Sequence, residues 1–417
     1  MEHSRSKHKV MIIAPTCFYY QVDLYRELTN NPNVDLKVYF CSDESLSGQD
    51  IARQFNTQEQ WGGETQMLQG YEYEFLKNYS PRPSYLKWPF GLMNLGIWKS
   101  IKRDRPDAVV LMSWMNPTWW LAILACSLHK IPFFYMTDTN VQAEPLKPKW
   151  VSWFKKLFLG KALFPAASGF LCAGESNMEF YRYFGVPDKK LIPFAFSWGY
   201  KHFLADADQL NKKRDGFRAG LGIPIDDHVF LYCGRLSPEK NPMILLDAYN
   251  RLKTGGTTLL VVGDGRLKEE AEKFAEKNNM DTVKFLGFQN RNEIAKFYAV
   301  SDALVLPSDR EATGGVINEA MCFGMPVIIS DQVGFGQDFV TDDFNGFSFP
   351  VGDVEILTQQ LQRVMNLTEQ ERTVINGRSI SIMDKWLNRD LPGNLTNFLD
   401  DLDNQPKKPG GKKKVEQ

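Results

Sequence analysis

Residues 307–329 read PSDREATGGVINEAMCFGMPVII, and they hold two carboxylates, Glu311 and Glu319, on either side of the pair Gly314 and Gly315. The preceding run 303–306, ALVL, is a short apolar strand closed by Pro307, and 316–323 has helical character. Glu311 therefore belongs to a strand-to-helix turn. Such a turn aims free backbone N–H groups at an anion. Gly314 and Gly315 lack a Cβ, so a diphosphate can approach the main chain, and the positive end of the helix dipole favours its charge. From within the helix Glu319 can accept hydrogen bonds from a ribose diol, while Glu311 can orient sugar hydroxyls. Taken alone, two carboxylates at this spacing are usually ordinary solvated side chains.

A second block changes that reading. Residues 230–233, FLYC, form a strand, followed by GRLSPEKN at 234–241 and a helix opening at Pro242. Arg235 and Lys240 flank the turn after Gly234 and are placed to neutralise a diphosphate leaving group, where charge builds in the transition state. By itself a basic turn is more often a solvated surface. Between the blocks, strand and helix alternate. Leu245, Tyr249 and Leu252 share a helix face, and 259–262, LLVV, is a buried strand ending in Gly263-Asp264-Gly265. Residues 283–286 form another strand, followed by Gly287-Phe288. The two glycines at 263 and 265 are weak support for a dinucleotide site, because the third glycine is missing.

At 307–328 the chain resembles the retaining glycosyltransferases of the GT-B architecture, in particular glycosyltransferase family 4, whose signature is PS-x-x-E-x-x-G-x-x-x-x-E-A-M-x-x-G-x-P-V-I. Pro307, Ser308, Glu311, Gly314, Glu319, Ala320, Met321, Gly324, Pro326, Val327 and Ile328 match it in register. The resemblance implies that Glu311 meets the donor sugar and Glu319 the ribose. It places the amides of Thr313, Gly314, Gly315 and Val316 near the sugar and diphosphate, with Gly234, Arg235 and Lys240 at the phosphates. Gly263 and Phe288 are expected near the base, which the family often reads through backbone atoms. The implied reaction retains the anomeric configuration: the acceptor attacks the face that the nucleotide leaves, and the departing phosphate takes the acceptor's proton. Glu311 is then an orienting group, whereas a double-displacement glycosidase would need two carboxylates flanking the bond at a defined distance. No metal and no cofactor are expected.

The N-terminal half alternates as well. Strands are predicted at 9–14, 36–41, 71–76, 108–112, 131–136, 169–172 and 190–195, with helices at 21–28, 117–129 and 176–184. This is the pattern of a parallel sheet wound on both faces. The expected architecture is α/β, with two facing Rossmann-like, doubly wound domains of GT-B type and the active site in the cleft between them. The expected division is an acceptor-side domain at 1–196, a nucleotide-sugar domain at 197–378, a helix at 379–404 crossing back to the first domain, and a disordered basic tail at 405–417. The junction is expected near 197–214. Two departures from the family pattern fall in the first domain. The loop at 15–20 reads PTCFYY where relatives carry a glycine pair, which suits packing on an acceptor. The strand end at 133–140, FFYMTDTN, has no histidine. Asp138 and Asn140 are the polar groups there, and Asp138 either lines the reaction centre or serves as a cap or turn residue.

The chain has 417 residues, of which 43% are apolar and 24% charged, enough to bury two cores. A net charge of −1 argues against nucleic-acid binding. Its six cysteines are scattered without C-x-x-C spacing and read as reduced core residues of a cytoplasmic protein. The five histidines form no ligand cluster, and no signal peptide is visible. Residues 147–164, KPKWVSWFKKLFLGKALF, interleave Trp and Phe with Lys. This segment either lies on the inner face of an anionic membrane or is an amphipathic helix packed on its own domain. A lipid-linked or glycan acceptor fits the first reading. The same scaffold also carries nucleotide-sugar epimerases, phosphorylases that need pyridoxal phosphate, and in principle a non-catalytic sugar-nucleotide-binding subunit.

Overall fold

The computed structural model describes residues 7–46, 67–141, 144, 148–194, 200–252, 255–311, 313–388 and 391–404. The expected basic tail at 405–417 and the start of the expected junction lie outside these residues.

Among the described residues there are two parallel sheets. The first has seven strands: β1 (His8–Ala14), β2 (Val34–Phe40), β3 (Glu72–Phe75), β4 (Ala108–Leu111), β5 (Phe133–Met136), β6 (Gly169–Cys172) and β7 (Leu191–Pro193), in the spatial order β3-β2-β1-β4-β5-β6-β7. The second has six: β8 (His228–Cys233), β9 (Thr257–Val262), β10 (Val283–Gly287), β11 (Ala303–Leu306), β12 (Val327–Ser330) and β13 (Gly346–Phe349), in the order β10-β9-β8-β11-β12-β13. Helices cover both faces, so the central strands are apolar throughout instead of alternating. Val10 to Ala14 are all buried, as are Val229 to Cys233. The two-domain GT-B expectation is met.

In each sheet the strand order reverses once, between β1 and β4 and again between β8 and β11. At such a reversal the loops leaving the two neighbouring strands run apart, and a crevice opens at the carboxyl ends. The crevices of the two sheets face one another across the cleft.

The helix Leu391–Asn404 joins the domains. Phe398 meets Phe134 of β5 edge-on at 5.7 Å, Asn394 Nδ2 donates to the Pro193 carbonyl at 3.0 Å, and Asp400 lies 3.0 Å from His8 Nε2. Leu395 and Leu399 belong to the same apolar cluster as Val10 of β1 and Leu231 of β8. Trp386, in the helix Glu369–Leu387, packs instead on Tyr200 and Phe339. The stretch after 199 is a helix, Tyr200–Asn211, whose Phe203 packs on Tyr298 and Phe323. All six cysteines are free and buried, and burial pushes the Cys17 thiol up to about 11. Among the described residues no helix is long and apolar enough to cross a membrane.

Candidate functional site

The crevice of the second sheet brings both charged blocks together. β8 runs into Gly234, a 3-10 turn at Pro238–Lys240 and Asn241, whose φ of 44° lies in the left-handed region, before the helix Pro242–Leu252 begins. β11 runs into Pro307 to Glu311, and Thr313 and Gly314 lead into the helix Gly315–Cys322, with Gly314 at φ 71° as its N-cap. The positive φ favours glycine at 314, and a Cβ there would also crowd the Val333 side chain at 3.0 Å. Glu311 makes a single parallel bridge to Val333, which anchors the loop beyond the end of its strand.

Three contacts join these loops. Lys240 forms an ion pair with Glu311 Oε2, Asn241 Nδ2 donates to Asp309 Oδ1 at 2.8 Å, and Arg310 N donates to the Glu239 carbonyl at 3.1 Å. Arg235 stands at the same edge, one-third exposed, with a long 3.7 Å contact to Glu239. One turn into its helix, Glu319 accepts from the fully buried Tyr298 hydroxyl at 2.5 Å. Tyr298 escaped the sequence reading. As an aromatic on an apolar helix face it resembles any core residue, and only its hydroxyl sets it apart.

Gly263 and Gly265 hold the next loop against the first. A Cβ on Gly263 would sit 1.9 Å from the Gly234 carbonyl oxygen, and one on Gly265 would sit 2.5 Å from that of Leu236. Their immediate work is therefore close backbone packing, tied by Gly234 N to the Val262 carbonyl and Leu236 N to the Asp264 carbonyl. Phe288 follows β10 and is buried, two strands from β8.

Across the cleft, β5 ends at Thr137, Asp138 and Asn140. Asn140 Nδ2 lies 3.4 Å from the Glu311 carbonyl oxygen. Asp138 has an exposed edge, yet desolvation by the protein around it holds its carboxyl above the usual range; its own backbone N–H offsets part of this, and the charge of Glu311 adds to it. Water in the cleft screens part of that effect. Beside Asp138 a cavity of about 370 Å³ opens at the crevice of the first sheet, between the β1 loop (Phe18, Tyr20) and the β4 loop (Met115, Asn116). Tyr85 and Trp88 complete its aromatic walls. The buried Trp119 also lines it, and its indole Nε1 has no hydrogen-bond partner among the described residues. The aromatic 15–20 loop thus faces a cavity, and a second aromatic segment joins it.

A further contact spans the domains. Asp338 of the short helix Gly336–Phe339 accepts from Glu175 N at 2.9 Å, at the start of the helix Glu175–Tyr183. A Cβ on Gly174 would fall 2.3 Å from that carboxylate.

The family model for glycosyl transferases group 1 matches residues 213–379. The UDP-Gal:alpha-D-GlcNAc-diphosphoundecaprenol alpha-1,3-galactosyltransferase of Escherichia coli is 32% identical over 290 residues, covering 65% of this chain and 69% of that protein. The lipopolysaccharide 1,2-N-acetylglucosaminetransferase of Salmonella typhimurium is 33% identical over 156 residues, 35% of this chain and 40% of that one. The chain likewise spans under half the length of two uncharacterised glycosyltransferases of Methanocaldococcus jannaschii, at 44% and 47%. In fold it is similar to Anabaena Alr3699/HepE in complex with UDP, with a TM-score of 0.69 at 17% identity over 95% of this chain and 99% of that one.

Proposed function

The chain belongs to the glycosyl transferases group 1, and from that premise we propose that it is a retaining, metal-independent glycosyltransferase of family 4. It moves a sugar from a nucleoside-diphosphate sugar to a hydroxyl of a glycan or lipid-linked saccharide, in polysaccharide, glycolipid or cell-envelope glycan synthesis. Residues 197–378 bind the donor and residues 1–196 present the acceptor. The observation that carries this reading is the convergence of Arg235, Lys240, Glu311 and the Gly314–Gly315 turn on one crevice, with Asp138 and Asn140 opposite.

Lys240 and Glu311 neutralise each other. An ammonium has three donors, so Lys240 can keep Glu311 while turning another N–H to a phosphate oxygen. Arg235 and the free amides at the start of the Gly315–Cys322 helix meet the rest of the diphosphate. Held by Tyr298, Glu319 takes the ribose diol. Glu311 then receives sugar hydroxyls and fixes the ring for attack. The bond from the anomeric carbon to the phosphate oxygen breaks, the bond to the acceptor oxygen forms on the same face, and the leaving phosphate takes the acceptor's proton. Asp138 lines the reaction centre from the acceptor side. Two relatives named for diphosphoundecaprenol-linked and lipopolysaccharide acceptors support a lipid-linked acceptor.

The experiment is NMR of the glycosylated product. The anomeric coupling of the transferred sugar should equal that of the donor, and an inverted coupling rejects retention.

A further inference from the structure

The helix Lys149–Lys155 is built inside out. None of its seven residues is buried. Trp150, Trp153 and Phe154 are 68, 60 and 57% exposed, while Lys155 turns inward to pair with the buried Glu144 at 2.7 Å. A helix packed on its own domain does the reverse, with aromatics inside and lysines in water. That alternative, left open by the sequence, does not describe this helix.

The exposed apolar surface continues beyond it. Phe158 meets Trp120 of the helix Pro117–His129 edge-on at 6.4 Å, and Leu124 and Leu128 follow one and two turns along, both exposed. In the other direction Trp120 Nε1 donates to the Trp114 carbonyl at 2.8 Å, beside Met115. Exposed Met115, Leu86 and Trp88 form the rim of the aromatic cavity next to Asp138. A continuous exposed apolar surface of this kind marks an interaction site.

The charges its own segments carry are positive. The segments that supply it, 78–103, 108–137 and 148–174, contain no Asp or Glu at all. Lys87, Lys130, Lys149, Lys156 and Lys161 are exposed within them. Two copies joined through this face would bring lysine against lysine. Trp and Phe framed by exposed lysines match the interface of a bilayer that carries anionic headgroups, with Asp138 and Glu44 set back at the cavity.

We propose that this face docks peripherally on an anionic bilayer and holds the mouth of the aromatic cavity at the lipid surface. The consequence for catalysis rests on the transferase reading: a lipid-linked acceptor reaches Asp138 while its hydrocarbon stays in the bilayer.

The test is flotation of the full chain with phosphatidylcholine vesicles, with and without phosphatidylglycerol, at low and high salt. The protein should float with the anionic vesicles and be released by salt. The double variant Trp153→Ser, Phe154→Ser should lose about ten-fold or more of the bound fraction, because two interfacial aromatics are gone. Neither residue is buried, so the variant should keep its melting temperature. Absence of flotation at low salt overturns the proposal, as does a double variant that floats like the parent. A dimer in sedimentation that the same variant abolishes, without flotation of the parent, assigns the face to a second copy and overturns it too. Thermal shift by a nucleoside-diphosphate sugar on the same preparations reads the donor site separately. Shift without flotation rejects docking alone, and flotation without shift rejects the donor reading alone.

Discussion

Lys240 and Glu311, 71 positions apart, form an ion pair that bridges the two loops leaving the switch point of the second sheet, each side chain only 13% exposed. Removing one partner leaves the other partly desolvated and uncompensated, a cost of about 1–3 kcal/mol. Lys240→Ala should therefore lower the melting temperature and weaken nucleoside-diphosphate binding about ten-fold or more, since a charged hydrogen bond to phosphate is lost. Glu311→Gln should leave affinity for the nucleoside diphosphate within a few-fold and cut kcat by about a hundred-fold, as its partner is the sugar. Calorimetric titration and initial rates separate the two, and equal effects of both variants on nucleotide affinity would contradict these roles.

Tyr298 acts through Glu319. Tyr298→Phe removes one hydroxyl from a fully buried position and with it the hydrogen bond that Glu319 accepts at 2.5 Å. A hydrogen bond to a charged group contributes about 1.5–3 kcal/mol to stability; only the part felt as loss of Glu319 positioning reaches the ligand, so nucleotide affinity should fall several-fold with kcat nearly unchanged. A variant with lower melting temperature and unaltered affinity would show that the contact serves stability alone.

The glycines separate by local geometry. Gly263→Ala would drive a Cβ to 1.9 Å from a backbone oxygen at a φ of 135°, forcing the β8 and β9 loops apart. Gly314→Ala meets side chains at 3.0 Å in the left-handed region, a strain of about 1–2 kcal/mol before any clash. Gly255→Ala has open space and should be near neutral. Thermal melts should rank them Gly263, then Gly314, then Gly255 in order of damage.

Asp338 supplies a pH dependence. Burial raises its carboxyl to about 6; the Glu175 and Ser176 amides offset part of this, and the charges of Glu175 and Glu179 add to it. The folded protein therefore holds this proton more tightly than the unfolded chain. The stabilisation is fully present below the unfolded value of 3.8 and is lost as pH rises through about 6. Asp338→Asn keeps an oxygen acceptor for Glu175 N without the charge. Its melting temperature relative to the parent should be higher at neutral pH than in mild acid, and a pH-independent difference would contradict the assignment.

The strands were legible because β-strands buried on both faces are plain apolar runs: 169–172 and the helix 117–129 were read to the residue. The helix Ile97–Asp104 was not, since it is short and follows Pro- and Gly-rich sequence, although Ile97 and Ile101 mark its buried face. Nor was Tyr200–Asn211, read as a junction. Motif spacing placed Arg235, Lys240, Glu311 and Glu319 in one domain, but pairings such as Lys240 with Glu311 or Asp338 with Glu175 depend on strand order, which no local pattern encodes. The exposed side of 149–155 was equally hidden, because periodicity locates an apolar face without saying what covers it.

The central claim is that the second domain holds a nucleoside-diphosphate sugar between Arg235, Lys240, Glu311 and Glu319. Its most direct test is a thermal-shift panel of uridine, guanosine and adenosine diphosphate sugars on the parent and Glu319→Ala, because a ligand that binds only the folded state raises its melting temperature. One nucleotide should shift the parent clearly and the variant little or not at all. No shift with any nucleotide, or equal shifts in parent and variant, would contradict it.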